Sequence, residues 1–175
     1  MKKKFSAYDI ALSALSCAMA TVLLTVGVYS EILLFTGYLF GAISLMLPLA
    51  KQSYRGYALA YVATNILAVL FNPGRIFDLL PFACFFGLHP LINELQLKIK
   101  INRWVACAIK ALWFDVTMYL IWFFLFDAAL DIPIDPKYII PLFAVFGSIC
   151  FVFFDYAMYK WRYAINRLVK RINKK

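Results

Sequence analysis

The stretch from Lys98 to Asp127, KIKINRWVACAIKALWFDVTMYLIWFFLFD, opens with three basic residues in six positions, continues as an apolar run and closes on an acid. From Trp104 to Phe126 only Lys110 and Asp115 carry charge. At ~1.5 Å per residue that run covers the ~30 Å of hydrocarbon in a bilayer. It lacks the strict alternation of a membrane barrel strand, so helix is the reading. Outward from this stretch the pattern continues. Basic residues cluster at Lys2, Lys3 and Lys4, at Lys51 and Arg55, at Lys98, Lys100 and Arg103, and from Lys160 to Lys175. The alternate gaps hold Glu31, then Asp78 with Arg75, then Asp127, Asp131 and Asp135 with Lys137. Lys and Arg translocate poorly and mark cytoplasmic loops, whereas Asp and Glu have little influence on orientation. The pattern predicts an all-α, polytopic membrane protein of six transmembrane helices with both termini cytoplasmic. The predicted spans are 8–29, 31–50, 54–71, 79–97, 104–126 and 138–159, forming a single domain with a basic amphipathic tail over 160–175.

Composition agrees with that class. The chain has 175 residues, 65% of them hydrophobic and 15% charged, and its mean hydropathy is +0.79. A soluble domain of this size cannot bury so much apolar surface, so the bilayer is the expected solvent and a multi-pass cell-membrane protein the expected location. The net charge of +9 sits beside membrane ends, where anionic headgroups attract it, and is not read as a nucleic-acid surface. The first apolar stretch is too long for a cleaved signal peptide, and a second span follows at once.

Span one carries Ala7, Ala11, Ala14, Ala18, Thr21 and Thr25 at steps of four and three, which keeps small residues on one helical face. Such a face admits a second helix at close range. It serves either packing within the bundle or docking of a separate membrane subunit. Span two adds Gly37 and Gly41 in a G-x-x-x-G spacing. Cys17, Cys84, Cys107 and Cys150 all fall inside predicted spans without a C-x-x-C pair, and His89 is the single histidine. No metal site and no cofactor are expected from that set.

Rise per residue places three polar side chains near mid-membrane. Asn65 lies ten residues from Arg55, or ~15 Å. His89 lies eleven residues from Asp78, and Asp115 twelve from Arg103. An ionised Asp facing lipid there costs at least ~3 kcal/mol, so Asp115 is expected to find a partner across helices, with His89 or Asn65 the candidates. Lys110 is a poor partner for Asp115, being ~140° away around the helix. Its stem is expected to snorkel toward the cytoplasmic face instead. Pro90 removes a backbone donor beside His89 and frees the Phe86 carbonyl, an arrangement that either lines a polar cavity or fixes helix register. Asp155 is read as an interfacial ion-pair partner of Lys160 and Arg162.

Glu31, Arg75, Asp78, Tyr119 and Trp122 face the outer side. The two aromatics are interface anchors by default, and Arg75 with Asp78 in a Pro-Gly loop also suits the mouth of a ligand pocket. Asp127, Asp131 and Asp135 are broken by Pro133 and Pro136 and are read as a solvated loop. In the tail, Trp161, Ile165, Leu168, Val169 and Ile172 recur at helical intervals between basic residues. That pattern fits a segment lying in the cytoplasmic interface or receiving a cytoplasmic partner.

Taken together, the six predicted spans, the basic inner loops and the Ala14-x-x-x-Ala18 spacing, matched more loosely by Ala7 and Ala11, resemble the substrate-binding S components of energy-coupling-factor vitamin transporters. The resemblance covers the chain in topology and span one in residues. It implies a bacterial membrane subunit that takes substrate from outside, in a pocket of the outer halves of the later helices. It also implies docking through Ala7, Ala11, Ala14 and Ala18 to a membrane coupling subunit that works with two ATPases. The expected function is therefore capture of a vitamin-like solute without catalysis, with Glu31, Asn65, Arg75, Asp78, His89, Asp115, Tyr119 and Trp122 as candidate ligand residues. A Walker loop is absent from the sequence, so energy would come from the ATPases. The alternatives are a small proton-coupled transporter using Asp115 and His89, and a non-catalytic accessory protein that assembles other subunits. Neither a serine elbow nor H-E-x-x-H occurs, so an enzyme is not expected.

Overall fold

Ser6 and Asp9 start the first helix by satisfying each other's backbone donors. The Ser6 N–H and hydroxyl donate to Asp9 Oδ2 at 3.1 and 2.8 Å, and the Asp9 N–H donates to Ser6 Oγ at 3.1 Å, a reciprocal cap. The computed structural model describes residues 6–30, 32–125, 138, 141 and 143–172. Among these the regular structure is helical throughout. Helix α1 spans Ala7–Ser30, α2 Leu34–Leu49 and α3 Tyr54–Phe71. Helix α4 is composite over Ile76–Ile99, with a 3₁₀ turn at Ile76–Leu79, a π segment at Phe82–Phe86 and regular helix over His89–Ile99. Helix α5 spans Arg103–Leu125, and α6 spans Ser148–Ile172 after a second π segment at Phe143–Gly147. Helix α6 runs through Lys160 without a break as far as Ile172.

Among the described residues three helices are long and apolar enough to cross a membrane: Ala7–Ser30, Ile76–Ile99 and Arg103–Phe123. Helix α2 has only 16 residues, but it is the centre of the bundle, with every residue from Gly41 to Leu49 buried. A helix apolar all round belongs in such a position. The periphery is apolar too. Val22 on α1, Leu59 and Leu70 on α3, Leu112 on α5 and Phe153 on α6 are all more than half exposed. A belt of this kind has the character of a lipid-facing surface rather than a water-facing one.

Helices α1 and α2 meet at glycine. A Cβ at Gly37 would lie 2.8 Å from the Leu23 carbonyl oxygen and 3.1 Å from the Gly27 Cα, so the two backbones touch. Gly41, the second glycine of the G-x-x-x-G spacing, faces the Phe82 ring and Leu24. The motif is thus used inside the molecule.

The irregular half of α4 is held by tyrosines from its neighbours. A π turn and Pro90 leave backbone carbonyls without their usual partners. The Tyr57 and Tyr61 hydroxyls on α3 donate to the carbonyls of Gly87 and Ala83, and Tyr38 on α2 donates to that of Asp78. Gly87 is required there, since a Cβ would fall 2.8 Å from the Tyr61 ring and 2.9 Å from the Phe82 ring. Tyr57 is 1% exposed, so Tyr57→Phe leaves a buried carbonyl unpaired. That variant is expected to lose about 1.5 kcal/mol, measured as the free energy of unfolding in mixed micelles.

Candidate functional site

A groove with a volume of 590 Å³ opens where α2, α4, α5 and α6 converge. Leu34, Phe35 and Tyr38 contribute from α2, and Pro81 and Phe86 from the irregular half of α4. Phe114 and Met118 line it from α5, and Phe146, Gly147 and Cys150 from α6 and the π segment before it. Its volume lies within the ~300–1,000 Å³ of small-molecule sites, and its wall is almost wholly apolar and aromatic. Phe86 stacks on Tyr38 at 5.1 Å and meets Phe35 and Phe114 edge-on at 5.5 and 6.0 Å. Polar groups stand at the rim. Arg75 Nε donates to Asp78 Oδ2 at 2.6 Å, and the Asp78 carbonyl receives the Tyr38 hydroxyl.

Beneath the groove lies an aromatic layer. Phe85 packs on Phe86 and Phe114 at 5.2 and 4.9 Å, and Phe154 on Phe86 at 5.0 Å. The far side of that layer covers His89, whose ring sits 4.9 Å from Phe154, 5.5 Å from Phe85 and 5.9 Å from Phe151. Here four polar side chains from α4, α5 and α6 form one network. Lys110 Nζ donates to Asp155 Oδ1 at 2.6 Å and to Asn93 Oδ1 at 2.7 Å. His89 Nε2 is 3.1 Å from the same Asp155 oxygen, and its Nδ1 is 3.3 Å from Asn93 Nδ2. Lys110, Asp155, Asn93 and His89 are 3%, 7%, 2% and 0% exposed, so the charges are sequestered and mutually compensated.

This arrangement corrects four expectations. Lys110 does not snorkel; it is buried against acceptors on two other helices. Asp155 does not pair with Lys160 or Arg162, because it turns inward to Lys110. Arg162 instead grips Glu94 through two nitrogens, with Nη2 to Oε2 at 3.0 Å, and that carboxylate holds its guanidinium above the ordinary value. His89 and Asp115 are not partners. Asp115 Oδ2 accepts from Ser148 Oγ at 2.8 Å, and its buried Oδ1 has no hydrogen-bond partner. Asn65 joins none of these groups, since its amide donates back to the Tyr61 carbonyl at 2.8 Å.

The remaining candidates disperse. Arg75 and Asp78 pair with each other outside the groove lining, linked to it through the Tyr38 hydroxyl on the Asp78 carbonyl. Tyr119 lies against Trp122 at 6.2 Å on α5, away from the groove lining. Glu31, Asp127, Asp131 and Asp135 lie outside the described residues. Ala7, Ala11, Ala14 and Ala18 are exposed on α1, whereas Thr21 is buried and Thr25 half-buried. Ala14 and Ala18 face a shallow apolar groove of 410 Å³, floored by Cys17 and by Leu59, Ala60, Ala63 and Leu67 of α3. Among the described residues no cluster of three or more His, Cys, Asp or Glu side chains comes together as a metal site.

Sequence reasoning missed Asn93, Ser148 and the aromatic groove lining, and misjudged Lys110 and Asp155. The signal for that pair was present: Lys110 is seven residues from Arg103 and Asp155 five from Lys160, depths of about 10 and 8 Å from one face. Asn72, just before the Pro-Gly loop, is a further residue that the sequence does not single out. Its side chain is fully buried and donates to the Ala68 carbonyl at 2.7 Å and to Thr25 Oγ1 at 3.3 Å, tying the end of α3 to α1. Comparison of the whole chain with protein-family models, curated proteins and solved structures gives no match.

Proposed function

We propose that this chain is the membrane-embedded substrate-binding subunit of a small-solute uptake transporter, crossing the cell membrane six times with both termini in the cytoplasm and driven by partner ATPases. The observation that carries the reading is the 590 Å³ groove among the outward halves of α2, α4, α5 and α6. Tyr38 of its lining reaches the carbonyl of Asp78, in a gap that is not one of the basic ones, so the groove opens away from the cytoplasm under the charge rule. Lined by Phe35, Tyr38, Phe86 and Phe114, it suits a flat, largely apolar solute that stacks on rings and meets polar groups at the rim.

Energy coupling then needs a second surface. The exposed alanines of α1 offer one, because side chains that small let a partner's backbone approach within dispersion range. The test is a mild-detergent pull-down of tagged protein from its native membranes. A membrane coupling subunit and ATPases are expected to co-purify and to be lost in the Ala14→Leu, Ala18→Leu double variant, while the protein stays folded and monodisperse. Recovery of the protein alone overturns the reading.

The buried Lys110–Asp155–His89 network favours a second reading, a proton-linked transporter. Its relay would run through these three residues rather than through Asp115 with His89. That reading requires uptake to follow a pH gradient without nucleotide and to disappear in His89→Gln.

A further inference from the structure

A second groove, of 530 Å³, lies at the opposite end of the bundle. Gln96 and Lys100 contribute from the end of α4, Arg103 from the start of α5, and Tyr156, Tyr159 and Lys160 from α6. Three cations therefore converge on one cleft. None of the three has an acidic partner among the described residues, since Glu94 is taken by Arg162 and Asp155 by Lys110. Two of them are held by rings rather than by acids: the Arg103 guanidinium sits 5.6 Å from the Tyr159 ring centre and Lys160 Nζ 4.7 Å from that of Tyr156.

Two further features point to a ligand. Lys100 occupies a left-handed backbone position, φ 57°, at the C-cap of α4. Glycine or asparagine ordinarily fills that position, so a charge is kept there against local strain. Gln96 lines the same cleft, is 7% exposed, and its side-chain oxygen has no hydrogen-bond partner. A buried acceptor without a donor is uncommon in folded proteins, and the residue that carries this one is part of the cleft wall.

We propose that this cleft binds the headgroup of an anionic phospholipid of the cytoplasmic leaflet whose phosphodiester carries a hydroxyl-bearing group, as in phosphatidylglycerol. Lys100, Arg103 and Lys160 neutralise the phosphate, and a headgroup hydroxyl donates to Gln96. The exposed Leu97 and Ile101 side chains beside the cleft continue it along an acyl chain. Delocalised attraction between a basic tail and anionic lipid requires no such cleft; here three cations and a partnerless glutamine oxygen belong to the wall of one cavity.

The inference rests on the bilayer placement above, which alkaline extraction of native membranes reports separately. The test is native mass spectrometry of the full-length protein titrated in detergent with phosphatidylglycerol, phosphatidylmethanol or phosphatidylcholine, and with soluble glycerol 1-phosphate. One phosphatidylglycerol is expected to be retained in preference to phosphatidylmethanol, which has the same charge but no hydroxyl donor. Gln96→Leu is expected to erase that preference. Arg103→Ala with Lys160→Ala, both at exposed positions, is expected to weaken retention about thirtyfold, while Lys170→Ala with Arg171→Ala leaves it unchanged. Equal retention of phosphatidylcholine, equal loss in the tail variant, or equal competition by glycerol 1-phosphate overturns the proposal.

Discussion

Lys110→Met is expected to destabilise the bundle by about 4 kcal/mol, more than any substitution on its exposed face. The lysine is one of two charges in an environment that excludes water, and both its acceptors are themselves buried. Removing it leaves Asp155 with only a neutral or weakly basic neighbour, His89, at 3.1 Å. An uncompensated carboxylate in such a place costs far more than the pair contributes beyond an apolar replacement. The companion variant Lys110→Met with Asp155→Leu is therefore expected to recover most of the loss. Unfolding free energies of the three proteins in mixed micelles check this. A single variant as stable as the parent would mean that the pair is not formed. A double variant no better than the single one would mean that the cost lies in packing and not in charge.

The second large effect is expected at the α1–α2 crossing. Gly37→Val must place three carbons where 2.8 Å separates a single one from the Leu23 carbonyl oxygen. The neighbour is backbone on both sides, Leu23 and Gly27, so no side chain can rotate away and the helices must part. Overpacking of this kind costs about 3 kcal/mol or more, and here it pulls α1 off the helix around which the bundle is built. The same unfolding measurement checks it, with Ala11→Val on the exposed face of α1 as the variant expected to be silent. Destabilisation of equal size in both would place the effect in helix propensity rather than in the crossing.

Both predictions rest on features that the sequence made partly legible. Charge alternation and apolar length locate the helices, since every one of those signals is carried by residues close in the chain. Which residues meet is not carried that way. Depth arithmetic put Lys110 and Asp115 on the same helix in competition, and that framing hid Asp155, which comes to the same depth from the opposite direction of travel on α6. Rotation about each helix axis decides the partner, and rotation is set by packing of non-local faces such as Gly37 on Gly27. The small-residue stripe shows the same limit. Its period is regular from Ala7 to Thr25, yet the bundle covers Thr21 and leaves the four alanines exposed, because over that length α1 turns Leu12, Ser13, Ser16 and Cys17 inward instead. The groove was illegible for a related reason: its wall is assembled from single aromatics on four helices, none of which is distinctive alone. The irregular half of α4 likewise depends on tyrosines that lie 22 to 40 residues away, not on any local breaker beyond Pro90.

The Lys110–Asp155 pair also sets an order of events during synthesis. Asp155 is made 45 residues after Lys110, whereas Asn93 precedes it by 17. At about 5 to 20 residues per second, the lysine waits roughly 2 to 9 s for its counter-ion. Over that interval α5 enters the membrane with a charge that the finished protein never exposes. A flexible stem can hold the ammonium at the nearer headgroups until α6 arrives, with Asn93 an acceptor already made. On the proposed membrane placement, insertion of α5 is thus provisional until α6 is made, and a chain truncated before residue 155 is left with an unanswered lysine.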